Sequence, residues 1–406
     1  MVKEKTRVFV FFGGRSPEHD VSIITGLQAL NALDPTRYDA QPVYIAPNGE
    51  WLIGDLLRDR NSYIPGPAIL KELTPVHLKF GPGKPALITE PRGAFARPKT
   101  LEFDVALPAF HGLIGEDGGM QGLFETANAP YTGMRSLAST VMMDKTATKR
   151  MIASTDVPQL PFWEIKRPAR GLLITPDELK ASLGNLPFPM IIKPAHLGSS
   201  IGVARVTSFE EISDTLAKSI FRFDDTAMLE PFVENLVEYN VAVRRSGGEI
   251  VTSAIERPKM SSELLDFKTK YMSGGSNKSG NKTGGTKTAG TSSQGMLSLT
   301  RDINPQIAPE FEANIRKWAT TVFAQVGGSG SPRLDFLCNG KTGEAWFNEA
   351  NPCPGSFGYF LWEAAKKPTL FSDLLDELIT EALTLHARAQ IPADPTPEDA
   401  RLFKRP

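Results

Sequence analysis

Residues 7–12, RVFVFF, constrain the fold of this chain more than any other stretch. The segment is apolar almost throughout and shows no alternation with polar residues. It therefore reads as a strand buried on both faces, the pattern of a parallel sheet covered by helices. Gly13 and Gly14 end it, and residues 22–33 (SIITGLQALNAL) carry helical periodicity behind it. A strand leading directly into a helix is a βα opening, and loops at the carboxyl ends of such strands are where open α/β sheets receive ligands.

The buried-strand pattern returns at residues 39–46 and 103–110, with a proline- and glycine-rich span, 65–98, between them as loop and edge structure. A helix over 119–128 completes an α/β unit ending near Gly133. Next come a basic helix (143–155), a strand (190–194), the loop AHLGSSIG, a strand (203–206) and a helix (208–220), together a compact α+β unit. From Met228 the runs MLEPFV, EYNVAVRRS and EIVTSAIE predict an antiparallel sheet. A long amphipathic helix (309–326), the strands RLDFLC and EAWFNEA and a closing helix (371–389) finish the chain. The domain boundaries expected from this are 1–133, 134–227 and 228–406, with a loop at about 266–299 in the last.

A length of 406 residues accommodates two or three cores. A net charge of −1 provides no global attraction to nucleic acid or to an anionic membrane, so neither is an expected partner. The apolar run at the start is too brief for a signal peptide, and no window approaches a membrane span. The two cysteines, Cys338 and Cys353, have neither disulfide nor metal-ligand spacing, which predicts a reducing, cytoplasmic location.

Four groups carry chemistry. In RLDFLCNGKTGEAWFNEANPCPG, Glu349 and Asn351 stand two apart and share one strand face, and a neighbouring strand can bring Asp335 to them. Three hard oxygen donors suit Mg²⁺, although in isolation the triplet reads rather as a polar strand face with chance acids. Arg333 lies on the face of Asp335 and can stabilise an oxyanion or a phosphate. In IIKPAHLGSSIG, Lys193 ends an apolar strand before a Gly-Ser-Ser loop containing Ser199 and Ser200. This is phosphate-binding chemistry without the P-loop pattern, and alternatively a plain turn. Lys145 adds a cation at a helix start. In FFGGRSPEHDVS, Glu18 follows the first strand, where a carboxylate can hold an ammonium group, and His19 beside it reads as structural. His111 heads FHGLIGEDGGMQG directly after a strand, a weak signal alone.

In combination these segments, with YTGMRSLASTVMMDKTATK and DFKTKY, occur in an order that resembles the D-alanine:D-alanine ligases of the ATP-grasp superfamily, over Gly13 to about Gly355. The resemblance implies a mixed α/β and α+β architecture, an ATP-grasp fold behind an N-terminal Rossmann-like (pre-ATP-grasp) domain. It implies a ligase for peptidoglycan precursor synthesis in which one D-alanine carboxylate takes the γ-phosphoryl group of ATP and the amine of a second attacks the acyl phosphate. By motif position Lys145, Lys193 and Ser200 hold nucleotide phosphates, Glu230 and Glu238 bind adenine and ribose, and Lys270 reaches the transferring phosphate. Asp335, Glu349 and Asn351 hold two Mg²⁺ ions, with Mn²⁺ as a substitute, and Glu349 bridges. Arg333 and the Gly355 N–H form an oxyanion hole. Glu18 binds the first ammonium in a triad with Ser199 and Tyr271, and His111 sits by the first carboxylate. Tyr271 favours an amine acceptor, and a homodimer is the family's expected assembly.

Two departures stand out. Five residues past Gly355 the family has a serine for the acceptor's carboxylate, and this chain has Phe360, which leaves open a ligase for a different amine. After Lys270-Tyr271 the usual lid is replaced by residues 273–295, seven Gly, nine Ser or Thr and three Lys, which read as a rewritten lid or a passive insert. Cys353 reads as packing, with no base beside it. A non-catalytic nucleotide-binding homologue is the reading from another class; the intact Asp335, Glu349, Asn351, Lys193 and Arg333 argue against it.

Overall fold

The computed structural model describes residues 4–63, 71–81, 83–90, 97–198, 200–259, 301–390, 397 and 400. Ser199, Lys270, Tyr271 and the 273–295 stretch lie outside the described residues.

The opening strand β1 (Thr6–Gly13) pairs in parallel with β2 (Tyr38–Ile45) on one side and β7 (Val105–Pro108) on the other. Its unbroken apolar run is used on both faces. Val8, Val10 and Phe12 enter one core with Ile23, Leu27 and Leu30 of α1 (His19–Ala32), while Phe9 and Phe11 enter a second core with Met120 and Phe124 of α2 (Gly119–Thr126). α1 packs closely because it offers no side chain at Gly26, where a Cβ would fall 2.5 Å from the Phe12 ring. Four antiparallel strands extend the sheet, the middle two inside the proline-rich span: β3 (Trp51–Ile53), β4 (Thr74–Leu78), β5 (Ala86–Thr89) and β6 (Thr100–Glu102), giving the order β6-β5-β4-β3-β2-β1-β7.

A four-stranded antiparallel sheet follows, in the order β10-β9-β11-β8, formed by β8 (Trp163–Lys166), β9 (Met190–Pro194), β10 (Ala204–Val206) and β11 (Thr226–Pro231). The helices Pro176–Leu183 and Phe209–Lys218 cover it through Leu179, Ile212 and Leu216. The third sheet, β14-β13-β12-β15-β16, contains β12 (Leu236–Ser246), β13 (Glu249–Pro258), β14 (Arg301–Ile303), β15 (Arg333–Asn339) and β16 (Ala345–Asn351). It packs on the helix Pro309–Gln325 through Ile315, Ala319, Val322 and Phe323.

Several elements differ from the sequence expectation. The expected helix over 143–155 is two helices, α3 (Ser136–Met143) and α4 (Lys145–Ile152), broken at Asp144. Asp144 is extended, and its carboxylate accepts from Thr146 N and Ala147 N at 2.8 and 3.0 Å, capping α4 and fixing where Lys145 starts. The strand expected over 103–110 is only the four residues of β7. The closing helix Phe371–Ala389 lies where its periodicity puts it, and it packs back on the first sheet, with Leu374, Leu375, Leu378 and Ile379 in the core that holds Val8 and Val10. Among the described residues no helix is long and apolar enough to cross a membrane.

Candidate active site

The carboxylates come together because β15 and β16 pair antiparallel with Asp335 opposite Glu349 and Arg333 opposite Asn351. Asn351 Nδ2 donates to Asp335 Oδ2 at 3.1 Å, and Arg333 grips the same carboxylate with both arms, Nε to Oδ1 and Nη2 to Oδ2 at 2.7 Å each. Burial pushes the Asp335 carboxyl above its ordinary range, Arg333 opposes the shift, and the Glu349 and Glu256 charges add to it. A buried carboxylate under this strain gains from a further cation, and the hard oxygens of Asp335, Glu349 and Asn351 are a donor set that fits Mg²⁺.

Two buried lysines reach β16 from the neighbouring unit, and a third lies buried behind them. Lys145 Nζ lies 3.2 Å from Glu349 Oε2 and donates to the Leu197 carbonyl at 2.7 Å. Lys193 Nζ donates to Asn348 Oδ1 on β16 at 2.8 Å and pairs with Glu230 Oε1 at 2.5 Å. Lys149, one helical turn after Lys145, pairs with Glu230 Oε2 at 2.6 Å and donates to the Leu160 carbonyl at 3.1 Å. Burial penalises the Glu230 charge, but the two ammonium groups outweigh it and hold the carboxyl below its ordinary range. Sequence reading missed Lys149, although its i,i+4 spacing from Lys145 puts both on one helix face.

Beyond Lys193 the phosphate-type loop turns tightly, with Ser200 at φ +59° and Gly202 at φ +73°. His196 fastens it. Its Nδ1 lies 2.8 Å from Asp224 Oδ1, its backbone N–H donates to Asp224 Oδ2 at 2.8 Å, and its Nε2 lies 3.4 Å from Asp144 Oδ2. Hydrogen bonds to Asp144 and Asp224 outweigh burial and push the imidazole up to about 10, so it stands as a cation between two carboxylates. The sequence showed His196 only as one residue of the loop.

The N-terminal unit brings further groups to the site. Glu18 is buried at the N-cap of α1 without capping it by its side chain. Two glycines make room for its carboxylate: a Cβ on Gly112 would fall 2.8 Å from Glu18 Oε2, and one on Gly198 of the phosphate-type loop 3.3 Å from the same oxygen. His111 is buried, with Nε2 2.8 Å from Thr25 Oγ1, and burial pulls it down to about 4, so it is neutral at physiological pH. Glu116, also buried, accepts from Gly112 N at 2.6 Å and from Cys353 N at 2.7 Å, tying the first unit to the loop before Gly355. Burial, reinforced by the Glu18 charge, pushes Glu116 up to about 8. Burial beside Glu116 also drives the Cys353 thiol well above its ordinary range, which leaves it inert.

Gly355 opens a short turn, Gly355–Gly358, in which Ser356 and Phe357 take left-handed φ values of 53° and 57°. Ser356 N donates to Thr25 Oγ1 at 3.1 Å, so one threonine of α1 holds both His111 and this loop. Phe360 is half-buried against the first core, and Glu238 stands on β12 opposite Leu337. The structure thus brings together Glu18, His111 and the Gly355 loop on one side, and Lys145, Lys193, Glu230, Arg333, Asp335, Glu349 and Asn351 on the other.

Comparison with known proteins bears on the family and the fold. The family model described as "D-ala D-ala ligase N-terminus" matches residues 7–134, and "D-ala D-ala ligase C-terminus" matches 151–293 and 291–380. The chain is 31% identical over 376 residues to the D-alanine–D-alanine ligase of Thermosipho africanus, covering 92% of each chain. Among solved structures it is similar to the D-alanine-D-alanine ligase of Coxiella burnetii, with a TM-score of 0.72, 24% identity, and coverage of 95% of this chain and 96% of that one. It is also similar to the VanG D-Ala:D-Ser ligase of Enterococcus faecalis, with a TM-score of 0.70, 24% identity, and coverage of 93% and 100%. The shared fold is the ATP-grasp fold.

Proposed function

The chain belongs to the D-alanine–D-alanine ligase family, and from that premise we propose that it is an ATP-dependent ligase joining two D-alanine molecules in peptidoglycan precursor synthesis, through the residues described above. The observation that carries the assignment of roles is the pairing of β15 with β16. It sets Asp335, Glu349 and Asn351 on one ladder, with Glu349 Oε2 3.2 Å from the Lys145 ammonium.

Phosphoryl transfer needs positioning and neutralisation of charge more than covalent help from side chains. Lys145 and Lys193 supply the two ammonium groups for the nucleotide phosphates, and their present partners, Glu349 and Glu230, keep them buried and aimed. Asp335, Glu349 and Asn351 would hold two Mg²⁺ ions, with Mn²⁺ as a substitute. When bound, the ions neutralise phosphate charge. Glu18, in the space left by Gly112 and Gly198, accepts the ammonium of the first D-alanine. The carboxylate of that substrate attacks the γ-phosphorus, ADP leaves, and the acyl phosphate remains. The neutral amine of the second D-alanine then attacks the acyl carbon, the tetrahedral oxyanion is met by Arg333 and the Gly355 N–H, and the C–O bond to phosphate breaks, the departing phosphate carrying away the amine proton. Neutral His111, fixed by Thr25, is a hydrogen-bonding group beside the first carboxylate rather than a proton donor. Ser200 and Glu238 are assigned to phosphate and ribose by motif position. Ser199, Lys270 and Tyr271 keep the roles the resemblance gives them, outside the described residues. The family also supports a cytoplasmic homodimer.

The test is product analysis by mass spectrometry after incubation with ATP, Mg²⁺ and pooled D- and L-amino acids. The expected product is D-alanyl-D-alanine; ADP formation with no dipeptide from any D-amino acid defeats the reading.

A further inference from the structure

The family's serine for the acceptor carboxylate is Phe360 here, and the structure shows a cation beside that ring. The Arg301 guanidinium lies over the Phe360 ring, 4.8 Å from its centroid. Arg301 begins β14, beside Pro258 of β13, and its Nη1 donates to Glu256 Oε2 at 2.9 Å. Glu256 is fully buried and fixed by a further hydrogen bond, from Asn240 Nδ2 to Oε1 at 3.0 Å. The same Oε1 lies 4.0 Å from Arg333 Nη1. One carboxylate therefore links two guanidinium groups, Arg333 over the Asp335 ladder and Arg301 on the Phe360 ring.

This arrangement fits an anion. A guanidinium stacked on an aromatic face and held by one arm keeps its planar fork in a defined orientation, with its other N–H groups available for a planar carboxylate. The Arg301 side chain is partly solvent-accessible, so an incoming ligand can reach it. Its neighbours place it beside the residues assigned to the acceptor: Phe360 lies in the short helix Tyr359–Glu363 that follows the Gly355–Gly358 turn, and Glu256 lies 4.0 Å from Arg333, the arginine assigned to the oxyanion.

Resting on the ligase reading above, we propose that Arg301, seated on Phe360, binds the carboxylate of the acceptor amino acid, taking over the work of the absent serine hydroxyl. The acceptor is accordingly an α-amino acid with a free carboxylate, and the charge of that carboxylate contributes to its selection.

The experiment compares D-alanine and D-alaninamide as acceptors, with D-alanine as donor, in the wild type and in Arg301→Gln. The wild type favours the free carboxylate. In Arg301→Gln the acceptor KM rises about 10- to 100-fold, the range of a lost charge-assisted hydrogen bond, and the preference over the amide collapses, while the KM values for ATP and the donor hold. Arg301→Lys, which keeps the charge beside Glu256, gives an intermediate KM, and adding Phe360→Ser to Arg301→Gln restores part of the loss. Should the glutamine variant fail to fold, the lysine variant and Phe360→Ser in an otherwise wild-type chain decide the question by the same acceptor ratio. An unchanged acceptor KM and an unchanged acid-to-amide ratio, in an enzyme that still makes dipeptide, overturn the assignment. Absence of dipeptide in the wild type instead marks failure of the ligase reading itself.

Discussion

Replacing Glu116 by glutamine changes how stability responds to pH, and the structure sets the size of the change. The Glu116 carboxyl is buried and pushed up to about 8 from an ordinary value of 4.5, first by burial and then by the Glu18 charge. Between those two values the folded state binds more protons than the unfolded state, so this group lowers stability as pH rises from 4.5 to 8 and has no further effect above. The slope approaches about 1.4 kcal/mol per pH unit, which amounts to about 3 to 4 kcal/mol between pH 5 and pH 8. Glutamine does not titrate, so the variant lacks this slope. It also puts an amide nitrogen in place of one of the two oxygens that accept from Gly112 N and Cys353 N, and so loses one acceptor at a cost of about 1 to 3 kcal/mol. The variant is accordingly less stable at pH 5, and its stability curve converges with or crosses that of the wild type by pH 8. Urea unfolding at half-unit steps from pH 5 to 9 isolates Glu116, because every other titrating group is common to both chains. Parallel curves refute the reasoning.

Two further perturbations follow from the lysine cluster and the histidine strut. Lys149→Met leaves Glu230 with Lys193 as its remaining ammonium partner, and the expected cost is about 3 kcal/mol in urea unfolding, with a larger rise in KM for ATP than for D-alanine. His196→Gln removes a cation held by Asp144 and Asp224. Because the histidine is raised from 6.5 to about 10, its contribution is complete below pH 6.5 and fades as pH rises through about 10, so the stability gap between wild type and variant, measured by thermal unfolding, is wide at pH 6 and closes toward pH 10.

Local pattern was enough for much of the fold. β9 is Met190–Pro194 and the closing helix is Phe371–Ala389 because a bounded apolar run and a clear helical period need no tertiary context. The helix Pro176–Leu183 escaped sequence reading even though Thr175 and Glu178 form a capping box around Pro176, a signal that was present in the chain. β8 is different: four residues, Trp163–Lys166, become a strand because β11 lies beside them, some 60 residues away. The site divides the same way. Asp335, Glu349 and Asn351 were legible because strand periodicity fixes which side chains share a face, and the structure pairs them as that period requires. Glu116 and Arg301 were not, because their roles arise from approaches that spacing does not encode, to Cys353 in one case and to Phe360 in the other.

In the proposed function the Asp335–Glu349–Asn351 ladder facing Lys145 and Lys193 drives ATP-dependent joining of two D-alanines. The most direct measurement is phosphate released and dipeptide formed in the same reaction, with ATP, Mg²⁺ and D-alanine, by the wild type and by Glu349→Gln. The expected result is one phosphate per D-alanyl-D-alanine in the wild type, and a turnover at least about 100-fold lower in a variant that still binds nucleotide. Equal turnover in the two proteins, or phosphate release from the wild type without any dipeptide, contradicts it.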